Sequence, residues 1–206
     1  MGIGLIVSLS IGALFLLFLL WYGGRGRPLT ESEVAYYLQA LACSGSSEYD
    51  KAAIAQIRRL LAEDDGHEFV MQNLVRYRAR ALYPAGNETY GSDPRAADRR
   101  YARAIMWPLL KHGNLPIFIG RRTGSFMDHE GDAGWHYVAM VRYRSRRDFL
   151  RFALMSSQRH AFMHKWAAID QTHVFPVKPI ISLVVVRSLV GLLMVLCAMA
   201  VVLVVQ

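Results

Sequence analysis

The sequence predicts an α+β fold set between two apolar ends, on three observations. Residues 135–176 read as a strand–helix–strand unit, residues 68–122 read as another ahead of it, and residues 3–22 and 180–205 are apolar runs. The order strand, helix, strand, strand, helix, strand is the split βαβ pattern of a ferredoxin-like α+β sandwich.

Each element has a local reason. EFVMQNLVRY at 68–77 is a strand, and Asp93 then N-caps a helix whose first position is Pro94, where a missing N–H costs nothing. That helix runs to about Lys111 and ends at Gly113, with Pro108 expected as a kink or early stop. LPIFIGRR at 115–122 is the next strand. Residues 135–143 are aromatic and β-branched without Gly or Pro, bounded before by Gly131 and Gly134, which fits a buried strand. Ser145 and Asp148 form a capping box. Phe149, Phe152 and Ala153 recur at helical spacing, Ser156 and Ser157 interrupt, and Phe162, Met163, Trp166, Ala167 and Ile169 resume the stripe. A short strand over 172–175 ends at Pro176.

Four segments in this order, NLVRYRARALYP (73–84), the Tyr101 helix ending WPLLKHG, MVRYRSRRDFL (140–150) and HKWAAIDQTHVFP (164–176), carry a resemblance. Together, over residues 67–176, the chain resembles an uncharacterised bacterial domain-of-unknown-function family of the dimeric α+β barrel superfamily, near the EthD-like and antibiotic-monooxygenase-like domains. The resemblance implies a ferredoxin-like fold whose sheet packs on a second copy. It implies no particular reaction. Where that family shows His-Arg, this chain has His164-Lys165, which lacks the planar guanidinium.

The apolar ends set the expected location. Hydrophobic residues make up 53% of the chain, more than a soluble domain of this size uses. Residues 3–22 hold no charge and as a helix reach about 30 Å, enough for a hydrocarbon core. Trp21 and Tyr22 close the run as an interfacial anchor, and a cleaved signal peptide is disfavoured because there is no basic leader or small-residue cleavage site. In the second run Arg187 is the awkward residue, expected to snorkel to the headgroups, or to pair with an acid on a partner helix or with lipid phosphate. Arg25, Arg27 and Lys178 flank the runs on the loop side, so the positive-inside rule puts the domain in the cytoplasm of a bacterial inner membrane with both termini outside. Cys43 and Cys197 fall in the soluble part and the second apolar run, and so form no disulfide framework.

Residues 29–66 read as a helical hairpin: Thr30 to Glu33 is a capping box, Val34, Tyr37, Leu38 and Leu41 make one apolar face, and Ile54, Ile57, Leu60 and Leu61 make the other. It is expected to space or dock the 67–178 domain against a membrane or partner. The net charge of +8 comes from arginine clusters at 76–80, 95–103, 121–122 and 142–147, expected to be solvated faces attracted to anionic lipid. Nucleic acid is not expected, because GWHYVAMVRY lacks the Gly-aromatic pattern of an RNA-recognition strand.

Candidate chemistry is sparse. Asn73, His136, Tyr143 and His173 are the residues from which a proton-transfer pocket could be built, with His136 and His173 converging if their strands are neighbours. His160 and His164 share a helix face, but Ala161 stands where a metalloprotease helix has its Glu, so metal binding is weakly supported. No phosphate-binding glycine loop, haem-attachment motif or dinucleotide fingerprint is present, and no cofactor is expected. The sequence therefore points first to an accessory subunit of a membrane complex, interacting with that complex or its own copy, and second to an EthD-like membrane-associated enzyme for a small lipophilic substrate.

Overall fold

The computed structural model describes residues 13, 16–18, 20–23, 26–43, 51–127, 134–158, 161–181, 189, 192–193, 195–196 and 199–200. The chain divides into two units, Gly24–Lys178 and the terminal segments Met1–Gly23 with Pro179–Gln206. In the first unit the elements are α1 (Glu31–Cys43), α2 (Lys51–Ala62), β1 (Phe69–Tyr77), α3 (Pro94–Lys111), β2 (Leu115–Arg121), β3 (Tyr137–Tyr143), α4 (Arg146–Gln158), α5 (Ala161–Ala168) and β4 (Ile169–Val177). The strands form one sheet in the order β2-β3-β1-β4, every neighbouring pair antiparallel. This is a mixed α+β architecture on a four-stranded antiparallel sheet, consistent with the ferredoxin-like expectation.

The alternation of β1 assigns the two sheet faces. Phe69 and Met71 pack with Leu109 of α3 and Phe152 of α4, while Val75 packs with Ala97 of α3 and with Ala167 and Ala168 of α5. Gln72 and Leu74 point the other way, in register with Met140 and Val138 on β3 and with Phe175 and His173 on β4. The described helices of this unit thus lie on one face of the sheet.

Several expectations are corrected. Pro108 does not stop α3, which continues to Lys111 and caps at His112 before Gly113 at φ 68°. Pro108 and Leu109 are both buried, and that packing holds the last turn on the sheet. The strand expected from Trp135 begins at Tyr137, although His136 N–H still donates to Val75 O at 2.8 Å. Ser156 and Ser157 do not interrupt α4; they are buried inside it, and a new helix starts at Ala161. The last strand is longer than 172–175: Ile169 opens it and Pro176 lies within it, tolerated because β4 is an edge strand.

The hairpin is not a spacer. Leu38 and Leu41 of α1 and Ile57 and Leu61 of α2 share a core with Leu150 and Ala153 of α4, so its apolar face is buried within the unit rather than presented to a partner. Fully burying one such leucine stabilises by roughly 1.5–3 kcal/mol. The Thr30 box forms as read, with Thr30 N–H donating to Glu33 Oε2 at 2.9 Å and Glu33 N–H to Thr30 Oγ1 at 3.3 Å.

The arginine cluster at 142–147 is likewise not a solvated face. Arg142 Nε donates to Glu68 at 2.6 Å, Arg144 pairs with Asp148 at 2.7 Å, Arg146 with Asp65 at 3.3 Å and Asp64 at 3.8 Å, and Arg147 with Glu33 at 2.9 Å. Arg146 also donates to Leu60 O, and Arg147 to the carbonyls of Arg27 and Pro28. The reason is geometric. The β3–α4 turn lies where α1, α2 and the start of β1 meet, and the acids of those elements reach it before water does. Gly66, at φ 74°, completes the junction, since a Cβ there would stand 2.6 Å from the Arg27 carbonyl carbon.

In the terminal unit, Phe18 stacks on Tyr22 at 5.5 Å and lies 6.1 Å from Trp21. Among the described residues no helix is long and apolar enough to cross a membrane. Most of the two expected spans, and with them Arg25 and Arg187, lie outside the described residues.

Arg146→Ala removes the buried guanidinium that faces Asp64 and Asp65 and is expected to cost about 3–5 kcal/mol in denaturant unfolding. The Arg147 hydrogen bond and the Thr30 amide hold Glu33 down to about 2 from 4.5. Stability from this depressed carboxyl is present above pH 4.5 and lost as pH falls toward about 2, so Glu33→Gln is expected to flatten the acid limb of a thermal-unfolding profile.

Candidate functional site

A cavity of about 640 Å³ lies between the helix-covered face of the sheet and the helices. It exists because the helix layer stops short of the edge strand. Val174 points to the helix side, in register with Asn73, yet remains 39% exposed. Met71, Asn73 and Tyr143 form the floor, Phe149 and Phe152 of α4 and Phe162 and Trp166 of α5 form walls, and Gln56 and Leu60 of α2 close the far side. The aromatic groups brace one another: Tyr143 stacks on Phe69 at 5.4 Å and meets Phe149 edge-on at 5.1 Å.

Polar groups stand among the aromatic ones in the lining, Arg59, Glu63, Asn73, Lys165 and Thr172 among them. Asn73 Nδ2 donates to the carbonyls of Met71 at 3.0 Å and Ala139 at 3.3 Å, which turns its side-chain oxygen into the end available to a ligand. Thr172 Oγ1 donates to Leu74 O. Lys165 Nζ sits over the Trp166 ring at 4.8 Å and within 5.9 Å of the Tyr101 and Phe162 rings, a cation held on aromatic faces at the cavity wall. The arrangement suits an apolar, ring-bearing molecule with few polar atoms.

Of the four residues named from sequence, the structure brings Asn73 and Tyr143 together in this cavity. His173 borders it as part of the edge strand, but its ring contacts Phe175 at 5.2 Å on the opposite face. His136 is elsewhere, its Nδ1 accepting the Tyr77 N–H at 3.1 Å. The two histidines do not converge, because β1 runs between the strands that carry them.

Other expected residues have definite places. His164 Nδ1 is 2.9 Å from Tyr83 Oη, and its ring meets Tyr90 edge-on at 4.9 Å, with burial and Arg100 holding its pKa below the usual histidine value. His160 lies outside the described residues, among which no group of three or more metal-ligating side chains occurs. Lys178 pairs with Asp65 at 3.3 Å.

Alongside the cavity lies a group that sequence reasoning missed. Asp98 of α3 accepts from Tyr77 Oη at 2.7 Å and Tyr137 Oη at 3.3 Å. Burial pushes the Asp98 carboxyl above its ordinary value despite the two hydroxyls. Burial and the neighbouring carboxylate push both tyrosines up as well. The signal was present: Asp98 is the single acid of an arginine-rich helix, one position from Ala97 on its buried side.

Solved structures place the fold among proteins already seen. The likeness is to proteins of unknown function. A protein of unknown function from Rhodopseudomonas palustris is 26% identical, with a TM-score of 0.55, over 65% of this chain and 95% of that one. A methylated form of the same protein gives 26% identity and a TM-score of 0.55, covering 64% and 93%. No family model matches the chain, and no curated protein matches it.

Asp98→Ala leaves two hydroxyls without their acceptor and is expected to cost about 1–3 kcal/mol for each that stays buried. Stability from a raised carboxyl is complete below its ordinary pKa of 3.8 and lost as pH rises through the raised value. Asp98→Asn, which stays neutral, is expected to remove that slope from the pH dependence of the unfolding midpoint.

Proposed function

We propose that the protein is a membrane-anchored binding protein for a small lipophilic molecule. The observation behind this reading is the aromatic-lined cavity of about 640 Å³, a volume in the range that small-molecule sites use. The reading is one of binding because the His136 and His173 rings, from which a proton-transfer pocket could be built, are directed elsewhere. In this reading the domain is of the ferredoxin-like, dimeric α+β barrel type, held at the cytoplasmic face by the two apolar ends, with both termini outside. Support for the anchor comes from the charge-free run at 3–22 and from Leu16, Leu17 and Leu20, whose large apolar side chains are exposed in a helical stretch.

A second reading, the accessory subunit, has its own observation. Phe126 and Met127 are 92% and 84% exposed beside Phe118, Trp135 and Val138, an apolar hollow on the sheet face that the helices leave uncovered. Such a surface fits another protein or a second copy.

Purification from native membranes in a gentle detergent, followed by mass spectrometry of small molecules and proteins that co-migrate, distinguishes the two. Gln56→Trp with Val174→Trp narrows the cavity at exposed rim positions and is expected to weaken retention of a bound lipophile at least tenfold, about 1.4 kcal/mol. A preparation free of small molecules, whose stoichiometric protein partner is lost on Phe126→Ser with Met127→Ser, replaces the binding reading with the subunit reading.

A further inference from the structure

The outer face of α3 has a composition that neither the cavity nor the fold explains. Arg95, Arg99 and Arg103 follow one another at four-residue spacing, and Met106 and Trp107 continue the row; at 100° per residue all five fall within an arc of about 120°. All five are exposed, Trp107 at 58% and Met106 at 41%. The helix's single acid, Asp98, is turned inward to Tyr77 and Tyr137. Among the described residues, Asp93 at the N-cap lies 3.6 Å from Arg99 in an exposed pair that water screens. These arginines therefore differ from those at 142–147, which the fold itself neutralises.

A large exposed indole on a soluble helix is unfavourable unless something apolar meets it. A row that runs from guanidinium groups to a thioether and an indole matches the depth profile of a leaflet, phosphates outermost and acyl chains beneath. Nucleic acid would suit the arginines but leave Met106 without a partner.

We propose that this face of α3 docks on an anionic lipid leaflet, Arg95, Arg99 and Arg103 meeting the headgroup phosphates and Trp107 entering the interfacial layer. The proposal deepens the membrane-anchored reading and rests on it. Anchoring holds the chain near a leaflet, and the α3 face supplies a second, charge-dependent attachment that does not need a spanning segment.

The test uses the full chain reconstituted into vesicles whose phosphatidylcholine carries brominated acyl chains, with or without phosphatidylglycerol. The difference between the protein and Trp107→Phe isolates the Trp107 fluorescence, and Trp21→Phe isolates that of the anchor. Trp107 emission is expected to be quenched with phosphatidylglycerol present, and to recover at least twofold when it is omitted, when salt shortens the screening length, or in the combined Arg95→Gln, Arg99→Gln, Arg103→Gln variant. Trp107 unquenched while Trp21 is quenched leaves the anchoring intact and overturns the docking. Neither residue quenched overturns both. Quenching of Trp107 that is equal in neutral vesicles or in the arginine variant also overturns the proposal, as does an arginine variant that loses bound RNA while Trp107 stays unquenched throughout.

Discussion

The constraint on which this structure depends is that arginine cannot shed its charge. A guanidinium taken out of water stays protonated, so burying one is costly unless a carboxylate or carbonyl is brought to it. At the β3–α4 turn it buries Arg142 and Arg146 almost completely, and the partners of the four arginines at 142, 144, 146 and 147 come from four places: Glu68 before β1, Asp64 and Asp65 after α2, Asp148 within α4 and Glu33 in α1. Asp148 shows the balance directly, since burial alone would raise its pKa and the Arg144 pair holds it below the usual value. Because these acids come from α1, from the segment after α2, from the start of β1 and from α4, satisfying the turn fixes the hairpin, the sheet and α4 against one another. The apolar core beneath, Leu38, Leu41, Ile57, Leu61, Leu150 and Ala153, then closes in one arrangement.

Local chemistry made the elements legible in sequence. The Asp93–Pro94 start, the Thr30 box and the glycine after α3 depend on groups within a few residues of one another and form as read, while the Ser145 hydroxyl accepts the Asp148 N–H and donates to the Asp148 carboxylate. What stayed hidden is decided at long range. A run of arginines looks the same whether water or carboxylates from three other elements surround it. Pro176 reads as a terminator until one knows that its strand lies at the sheet edge. The cavity was half legible: Asn73 and Tyr143 were named, but its walls come from α2, α4 and α5, whose approach depends on tertiary packing. Asp98 was overlooked because it sits among arginines, where a surface ion pair is the first explanation.

The domain therefore presents different chemistry on its several sides. The helix-covered face of the sheet encloses an aromatic-lined volume, the bare face exposes Phe118 and its neighbours, and α3 turns a basic and aromatic row outward. The similar protein from Rhodopseudomonas palustris is covered over 95% of its own length in the comparison.

Pro176 has a further consequence. The ladder with β1 continues past it to Val177, so the donor it lacks is one an edge strand would have turned outward. A strand arriving from another molecule finds a gap in the hydrogen-bond template at that border, and β4 is blunted against runaway polymerisation. Strand addition along that stretch of the sheet edge is thereby disfavoured.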